Sequence, residues 1–353
     1  MGGFFFWRWN IKPNGPSYLN GVGTLGQRAN LIIVRNKSYE LYYSHWCANT
    51  LPKDLFWGEQ YAINFIEMQT KLDESGWLDD VWAEGGAILD LDKKKLLFYG
   101  GEDILYDIPL RNLYLKLMGN IWYGWEIQWA YEGIIDLATY VGYPKEKVLT
   151  SSEDDINDLS LAPPEEKNWV DTVASVRFSQ NELLLFPLCG GIDVYLSYGP
   201  DLINKIDKSY GYKSIFLDEW SKDFPMGGFH IDILSRRLEF WHANDIPNIS
   251  QELQAKWFDW EVIDNYSNYE TQYKSTNGLL QFQDINQHQL LEKLKVLLLN
   301  ESSNPLDTLA YIVKKEADAG RKVEISPYAL RYDKYELPRN VREEILDFAI
   351  DNL

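Results

Sequence analysis

The amino-acid sequence predicts an α+β fold: two tandem copies of a small hairpin-helix-hairpin-helix-strand domain, followed by a helical C-terminal segment. Internal similarity is the first observation behind this. Gly85-Gly86-Ala87-Ile88-Leu89-Asp90-Leu91-Asp92, which leads through three lysines into Leu96-Leu97-Phe98-Tyr99, falls on Gly227-Gly228-Phe229-His230-Ile231-Asp232-Ile233-Leu234 and the following Leu238-Glu239-Phe240-Trp241, at a constant spacing of 142 residues. Val34-Arg35, Glu40-Leu41, Cys47 and Asp103-Ile104 meet Val176-Arg177, Glu182-Leu183, Cys189 and Asp245-Ile246 at that same spacing. Beyond a seven-residue deletion, Trp122, Trp125-Glu126 and Tyr131 fall on Trp257, Trp260-Glu261 and Tyr266 at a spacing of 135. A period this long excludes the familiar solenoids and propellers, whose units run about 20 to 50 residues. The second observation is the succession of hairpins, which favours an α+β layer over a doubly wound parallel sheet.

In chain order, residues 1–29 form an aromatic and Gly-rich arm, and residues 30–144 the first copy. Asn30 to Arg35 and Tyr39 to Tyr43 are β-branched and aromatic runs around an Asn36-Lys37-Ser38 turn, hence a strand pair. Phe56 to Lys71 reads as a helix. Ala87 to Leu91 and Leu96 to Tyr99 form a second hairpin, with Ile88, Asp90 and Asp92 on one face. Leu110 to Ile121 has helical spacing, Trp125 to Trp129 reads as a strand, and Ile134 to Val141 as a short helix ended by Gly142 and Pro144. Residues 145–168, with Ser151-Ser152-Glu153-Asp154-Asp155 and Pro163-Pro164-Glu165-Glu166, have little to bury and read as an acidic linker. Residues 169–282 are the second copy. In 283–353, Gln289 to Leu299, Leu306 to Glu316 and Val341 to Leu353 look like amphipathic helices that dock on a copy or on a partner.

Composition narrows the function classes. The 353 residues carry 53 acidic against 34 basic side chains, a net charge of −19, with 45% hydrophobic and 15% aromatic residues. Such a chain buries a sizeable core, which excludes wholesale disorder. It lacks the Lys/Arg excess with which a nucleic-acid binder releases counterions, so no nucleic acid is expected. No apolar run is long enough to span a bilayer, and the Met1-Gly2-Gly3-Phe4-Phe5-Phe6-Trp7 start lacks a basic region and an adequate apolar stretch for a signal peptide. Cys47 and Cys189 make no disulfide framework and no metal spacing; two reduced, mostly buried thiols in a cytoplasmic protein are expected.

Gly21-Val22-Gly23-Thr24-Leu25-Gly26 matches the dinucleotide fingerprint, but a strand pattern rather than a helix follows it, so no cofactor is assigned. Adjacent residues of an extended segment point to opposite faces, and catalysis through His45 and Cys47 would need a third group to orient the base. The carboxylates Asp79, Asp80, Glu84, Asp90, Asp92, Glu102, Asp103 and Asp107 read as a solvated acidic rim, and no metal is assigned. Trp122 and Trp125 recur in the second copy and read as core, whereas Trp46, Trp82 and Trp129 do not recur.

What only one copy has is a guide to a task. In the first copy the unshared residues are His45, Trp46, Glu84, Glu102, Trp129 and Glu132, several of them at strand ends, where sites are commonly grafted; with Arg28 and Asp103 beside them they point to a ligand or partner pocket. The second copy has Pro187, Leu188, Met226, Asn244, Asp264 and Ser267 in place of the first copy's residues. Residues 1–30 carry +3 and residues 286–353 carry −2, which leaves −20 on residues 31–285. An acidic double domain suits a basic protein partner. The leading expectation is a non-catalytic interaction protein of inhibitor or immunity type. The alternatives are a hydrolase built on His45 with Glu84 or Glu102, and a small-molecule site between the copies. The sequence carries no sign of oligomeric state.

Overall fold

The computed structural model describes residues 26–150, 161–164, 169–301 and 303–353. The aromatic arm up to residue 25, nearly all of the Gly-x-Gly-x-x-Gly segment and most of the acidic linker lie outside the described residues. The fold is mixed, with helices packed on two mixed sheets and a helical C-terminal segment.

Strands β1 (Ala29–Arg35) and β2 (Ser38–Ser44) form the expected hairpin. Asn36 and Lys37 both take positive φ, the two-residue turn whose twist matches antiparallel strands. The helix expected over residues 56–71 is instead α1 (Leu51–Phe56), α2 (Glu59–Glu67) and the short strand β3 (Thr70–Leu72). Gly58, at φ +99°, breaks the helix between α1 and α2, a conformation only glycine adopts at no cost. The second hairpin, β4 (Gly85–Asp90) and β5 (Lys95–Tyr99), leads into α3 (Glu102–Leu105), α4 (Ile108–Ile121), β6 (Glu126–Trp129) and α5 (Ile134–Tyr140). Further along come β7 (Thr172–Ser179), β8 (Glu182–Leu188), α6 (Ile192–Leu196), α7 (Leu202–Lys205) and β9 (Ile215–Phe216). These are followed by β10 (Gly227–Asp232), β11 (Arg237–His242), α8 (Ile249–Lys256), β12 (Glu261–Asp264), α9 (Glu270–Ser275) and β13 (Leu280–Gln281). The last helices are α10 (Gln287–Leu299), α11 (Pro305–Asp318) and α12 (Arg339–Asp351).

The first sheet has the order β3-β2-β1-β4-β5-β6 and the second β12-β11-β10-β7-β8. Both hairpins of each sheet are antiparallel, but their inner strands, β1 with β4 and β7 with β10, pair in parallel, as do β5 with β6 and β11 with β12. The expectation of stacked hairpins therefore holds only within each hairpin. Crossing from one hairpin to the next needs the helical connections that parallel pairing imposes. Lys95 faces Glu126 as Arg237 faces Glu261, and Gly86 faces Tyr99 as Gly228 faces Trp241. In β7 the register departs from the 142-residue spacing by one: Ala29 pairs with Gly85, but Thr172 with Gly227.

The central strands are apolar on both faces, which explains the unbroken Leu31-Ile32-Ile33 and Ala87-Ile88-Leu89 runs. Trp122 is buried and its indole donates to Leu55 O at 3.1 Å; Trp257 does the same to Leu196 O at 2.9 Å. Each meets its neighbour, Trp125 or Trp260, edge-on at 5.0 Å. The C-terminal helices dock on the first sheet's helical layer, where Leu290, Leu294, Leu298, Leu346 and Ala349 join its core. No described helix is long and apolar enough to cross a membrane.

Candidate functional site

Strand direction brings the eight expected site residues to one end of the first sheet. Arg28 precedes β1, His45 and Trp46 follow β2, Glu84 precedes β4, Glu102 and Asp103 open α3 after β5, Trp129 ends β6 and Glu132 follows it. The order β2-β1-β4-β5-β6 at about 4.8 Å per strand spreads them over about 19 Å, too far for one contact set. They divide into two groups and an exposed acidic step between them.

The first group surrounds Arg28. Its backbone N–H donates to Glu84 Oε2 at 2.8 Å, and its guanidinium lies 4.5 Å over the Trp82 ring. His45 Nδ1 shares a 2.8 Å hydrogen bond with the Tyr43 hydroxyl, and the His45 ring stands edge-on to Trp46 at 4.7 Å. Trp46 is not a pocket wall open to solvent: its indole donates to Ala329 O at 2.9 Å, and it packs with Leu309 of α11 beneath the C-terminal segment. Although Glu84 retains solvent exposure, loss of water around its carboxyl raises its pKa, with Glu102 adding to the rise and the Arg28 N–H and guanidinium opposing it. Burial likewise raises the Tyr43 hydroxyl, against the pull of Arg28.

Glu102 and Asp103 are exposed in the first turn of α3, where carboxylates suit the helix dipole. Asp90 does not join them: it sits at the opposite end of β4, buried, accepting from the N–H groups of Asp92 and Lys93 and from the Tyr140 hydroxyl. Among the described residues no cluster of three His, Cys, Asp or Glu side chains is placed to hold a metal ion.

The second group lies in the seam between the two sheets, and there Trp129 is 2% exposed rather than open to a ligand. Arg111 of α4 stacks 4.6 Å from its ring. This guanidinium is fully buried and donates from Nη1 to Leu105 O at 3.1 Å and to Ala243 O at 2.6 Å, so it ties the first half to the turn after β11. Its Nε and Nη2, Trp129 Nε1 and His242 Nε2 have no hydrogen-bond partner among the described residues. Burial lowers Arg111 to about 10, and burial raises Asp245 to about 6 against the pull of His242 and Arg111. Glu132 is half-buried beside Asp136, and burial followed by that neighbouring carboxylate raises it. The Tyr131 hydroxyl meets Ser267 Oγ at 2.7 Å, and its ring lies 4.9 Å from Tyr266. Asp264 stands 3.6 Å from His242 Nε2; burial pushes its carboxyl up, but His242, Ser250 and the Tyr266 N–H outweigh it and hold it low.

Asp264 and Ser267, two of the residues that the sequence comparison set apart in 169–282, thus belong to this seam. Arg111, Tyr131, His242 and Asp245 were not among the expected site residues. For Arg111 a signal was present: it lies three residues from both Ile108 and Tyr114, on the apolar stripe of α4. The thiols also divide. Cys47 is buried, and burial pushes its thiol far above the ordinary range, whereas Cys189 is exposed, contrary to expectation, and donates to Trp169 O at 3.0 Å. Comparison with protein-family models, with curated proteins and with solved structures gave no match.

Proposed function

We propose that the chain is an acidic, non-catalytic interaction protein of inhibitor or immunity type, which covers a basic protein partner with the open end of its first sheet. The observation that carries this reading is the surface formed there: Trp82 and Tyr106 are 41% and 43% exposed beside the exposed carboxylates of Glu84, Glu102 and Asp103. Aromatic anchors supply contact energy at interfaces, and a surrounding negative potential speeds encounter with a cationic partner. The charge of −20 on residues 31–285 supplies that field.

The same proposal takes the two sheets as copies of one unit, of which the first has gained the binding face. Matching strand order, pairing directions and indole hydrogen bonds support it. Cytoplasmic residence fits the two unpaired cysteines and is part of the proposal.

The hydrolase alternative draws less support from the geometry, because His45 is engaged with Tyr43 and Trp46 while Glu84 turns to Arg28. A small polar ligand between the halves is favoured by one observation, the unpartnered Nε and Nη2 of the buried Arg111.

Affinity capture from a source lysate at low salt tests the leading reading. The full chain is expected to retain a basic protein that is released at about 0.3 M salt and is bound at least tenfold more weakly by a Glu84→Gln, Glu102→Gln, Asp103→Asn variant. A partner held equally by that variant and at high salt would overturn it.

A further inference from the structure

A second, oppositely charged locus lies under the C-terminal segment. Residues 332–337 and Arg342 of α12 roof a crevice whose floor is Ser44, Cys47, Thr50, Lys53 and Asp54, with a volume of about 20 Å³. That is room for a particle about the size of one water molecule.

Three cations converge on a single carboxylate there. Glu336 is approached by Lys334 at 2.6 Å and by Lys53 and Arg342 at 3.4 Å each. Lys53 and Arg342 keep only 7% and 4% of their side-chain surface, so water does little to screen them. Backbone carbonyls help, since Lys53 donates to Asn300 O and Arg342 Nη1 to Leu298 O at 3.3 Å. Yet Arg342 Nε is buried and has no hydrogen-bond partner among the described residues. The other carboxylates lining the crevice do not restore balance. Asp333 is paired with Arg331, and burial favours the neutral form of Asp54, which accepts from the Thr50 hydroxyl at 2.7 Å. A buried cationic excess with an unused donor is costly unless an anion joins it.

We propose that this crevice binds a small monovalent inorganic anion of the halide class, held by Lys53, Lys334 and Arg342, and that the anion fastens the C-terminal segment to α1. Size and charge select the class: the space admits a chloride-sized ion, and a divalent oxyanion would need the roof to lift. Net charge makes the locus unusual, because an anion is drawn to this acidic chain only where cations are gathered and shielded from the surrounding carboxylates.

The pH dependence follows from Asp54, whose carboxyl burial raises to about 7, with Thr50, Lys53 and Lys334 opposing the rise. It is faced by Cys47, Thr50 and Lys53 around α1, by Tyr114 of α4, and by Tyr332, Lys334 and Glu336 of the roof. Below pH 7 Asp54 is neutral and the crevice most positive, so the anion binds more tightly at pH 6 than at pH 8.

The test compares thermal unfolding of the full chain in sodium chloride and in sodium gluconate, whose anion is too large to enter, at equal ionic strength. Chloride is expected to raise Tm over gluconate by about 2–4 °C at saturation, more at pH 6 than at pH 8. It should also slow tryptic cleavage at Lys334 and Arg339. The chloride-minus-gluconate difference should vanish in Arg342→Gln. It should also fall in Lys334→Gln, whose partly exposed position spares the fold if the buried variant fails to fold. Equal Tm values in the two salts for the unmodified chain, or an undiminished chloride effect in Lys334→Gln, would overturn the proposal.

Discussion

Arg111 joins the two halves through two carbonyls, Leu105 O on its own side and Ala243 O across the seam. A planar guanidinium can serve both while stacking on Trp129, which a lysine ammonium cannot. Its neighbour Asp245 makes the seam sensitive to pH. Asp245 is raised in the folded chain to about 6, above its ordinary 3.8, so the folded state holds the proton more firmly than the unfolded chain does. Stability from this group is therefore fully present below about pH 4 and is lost as pH rises through 6. Asp245→Asn should remove that loss, making the variant more stable than the unmodified chain at pH 7.5 by on the order of 1–2 kcal/mol and equal to it near pH 4. Urea unfolding at the two pH values measures this; a variant less stable at pH 7.5 would contradict it. At this scale the sequence was legible only in part. Glu84 and Arg28 stand at strand ends and could be singled out from local pattern. The role of Trp46 could not, because its acceptor, Ala329 O, lies 283 residues away, and neither could the burial of Trp129, which depends on a helix from the same half and a turn from the other.

Among elements, the hairpins were the most legible because turn chemistry is local. Asp90 Oδ1 accepts from the N–H groups two and three residues ahead, and Asp232 Oδ1 does the same in its own turn. Both are Asx turns that close a four-residue connection, with Lys94 and Arg236 at positive φ. The expected helices at 110–121, 134–141, 289–299, 306–316 and 341–353 lie within a few residues of α4, α5, α10, α11 and α12. The helix expected at 56–71 failed because Phe56 and Trp57 before Gly58 and Glu59 and Gln60 after it are all compatible with a helix and conceal the break that its positive φ imposes. Parallel pairing between hairpins was equally hidden, since strand runs carry no record of direction. If the sheets are copies of one unit, equivalent side chains should do equivalent work. Trp122→Phe and Trp257→Phe each remove one indole hydrogen bond to a helix carbonyl while preserving most of the ring, so each should cost about 1–2 kcal/mol. Two costs differing severalfold in chemical denaturation would count against equivalence.

Across the whole molecule, charge and architecture divide the labour. Residues 31–285 carry the negative field, the seam locks the two sheets together through buried polar groups, and the C-terminal segment roofs the cationic crevice. Composition was enough to show the field, but not that the eight expected residues would divide into two groups with an acidic step between them at one sheet end, because lateral strand order is set by long-range pairing. The acidic face with Trp82 and Tyr106 is what remains open to a partner at that end. Hydrogen–deuterium exchange of the full chain, alone and with the partner captured at low salt, tests this most directly. The account predicts slowed exchange confined to the segments around Trp82 to Gly86 and Gly101 to Tyr106. Protection elsewhere with none in these two segments would contradict it.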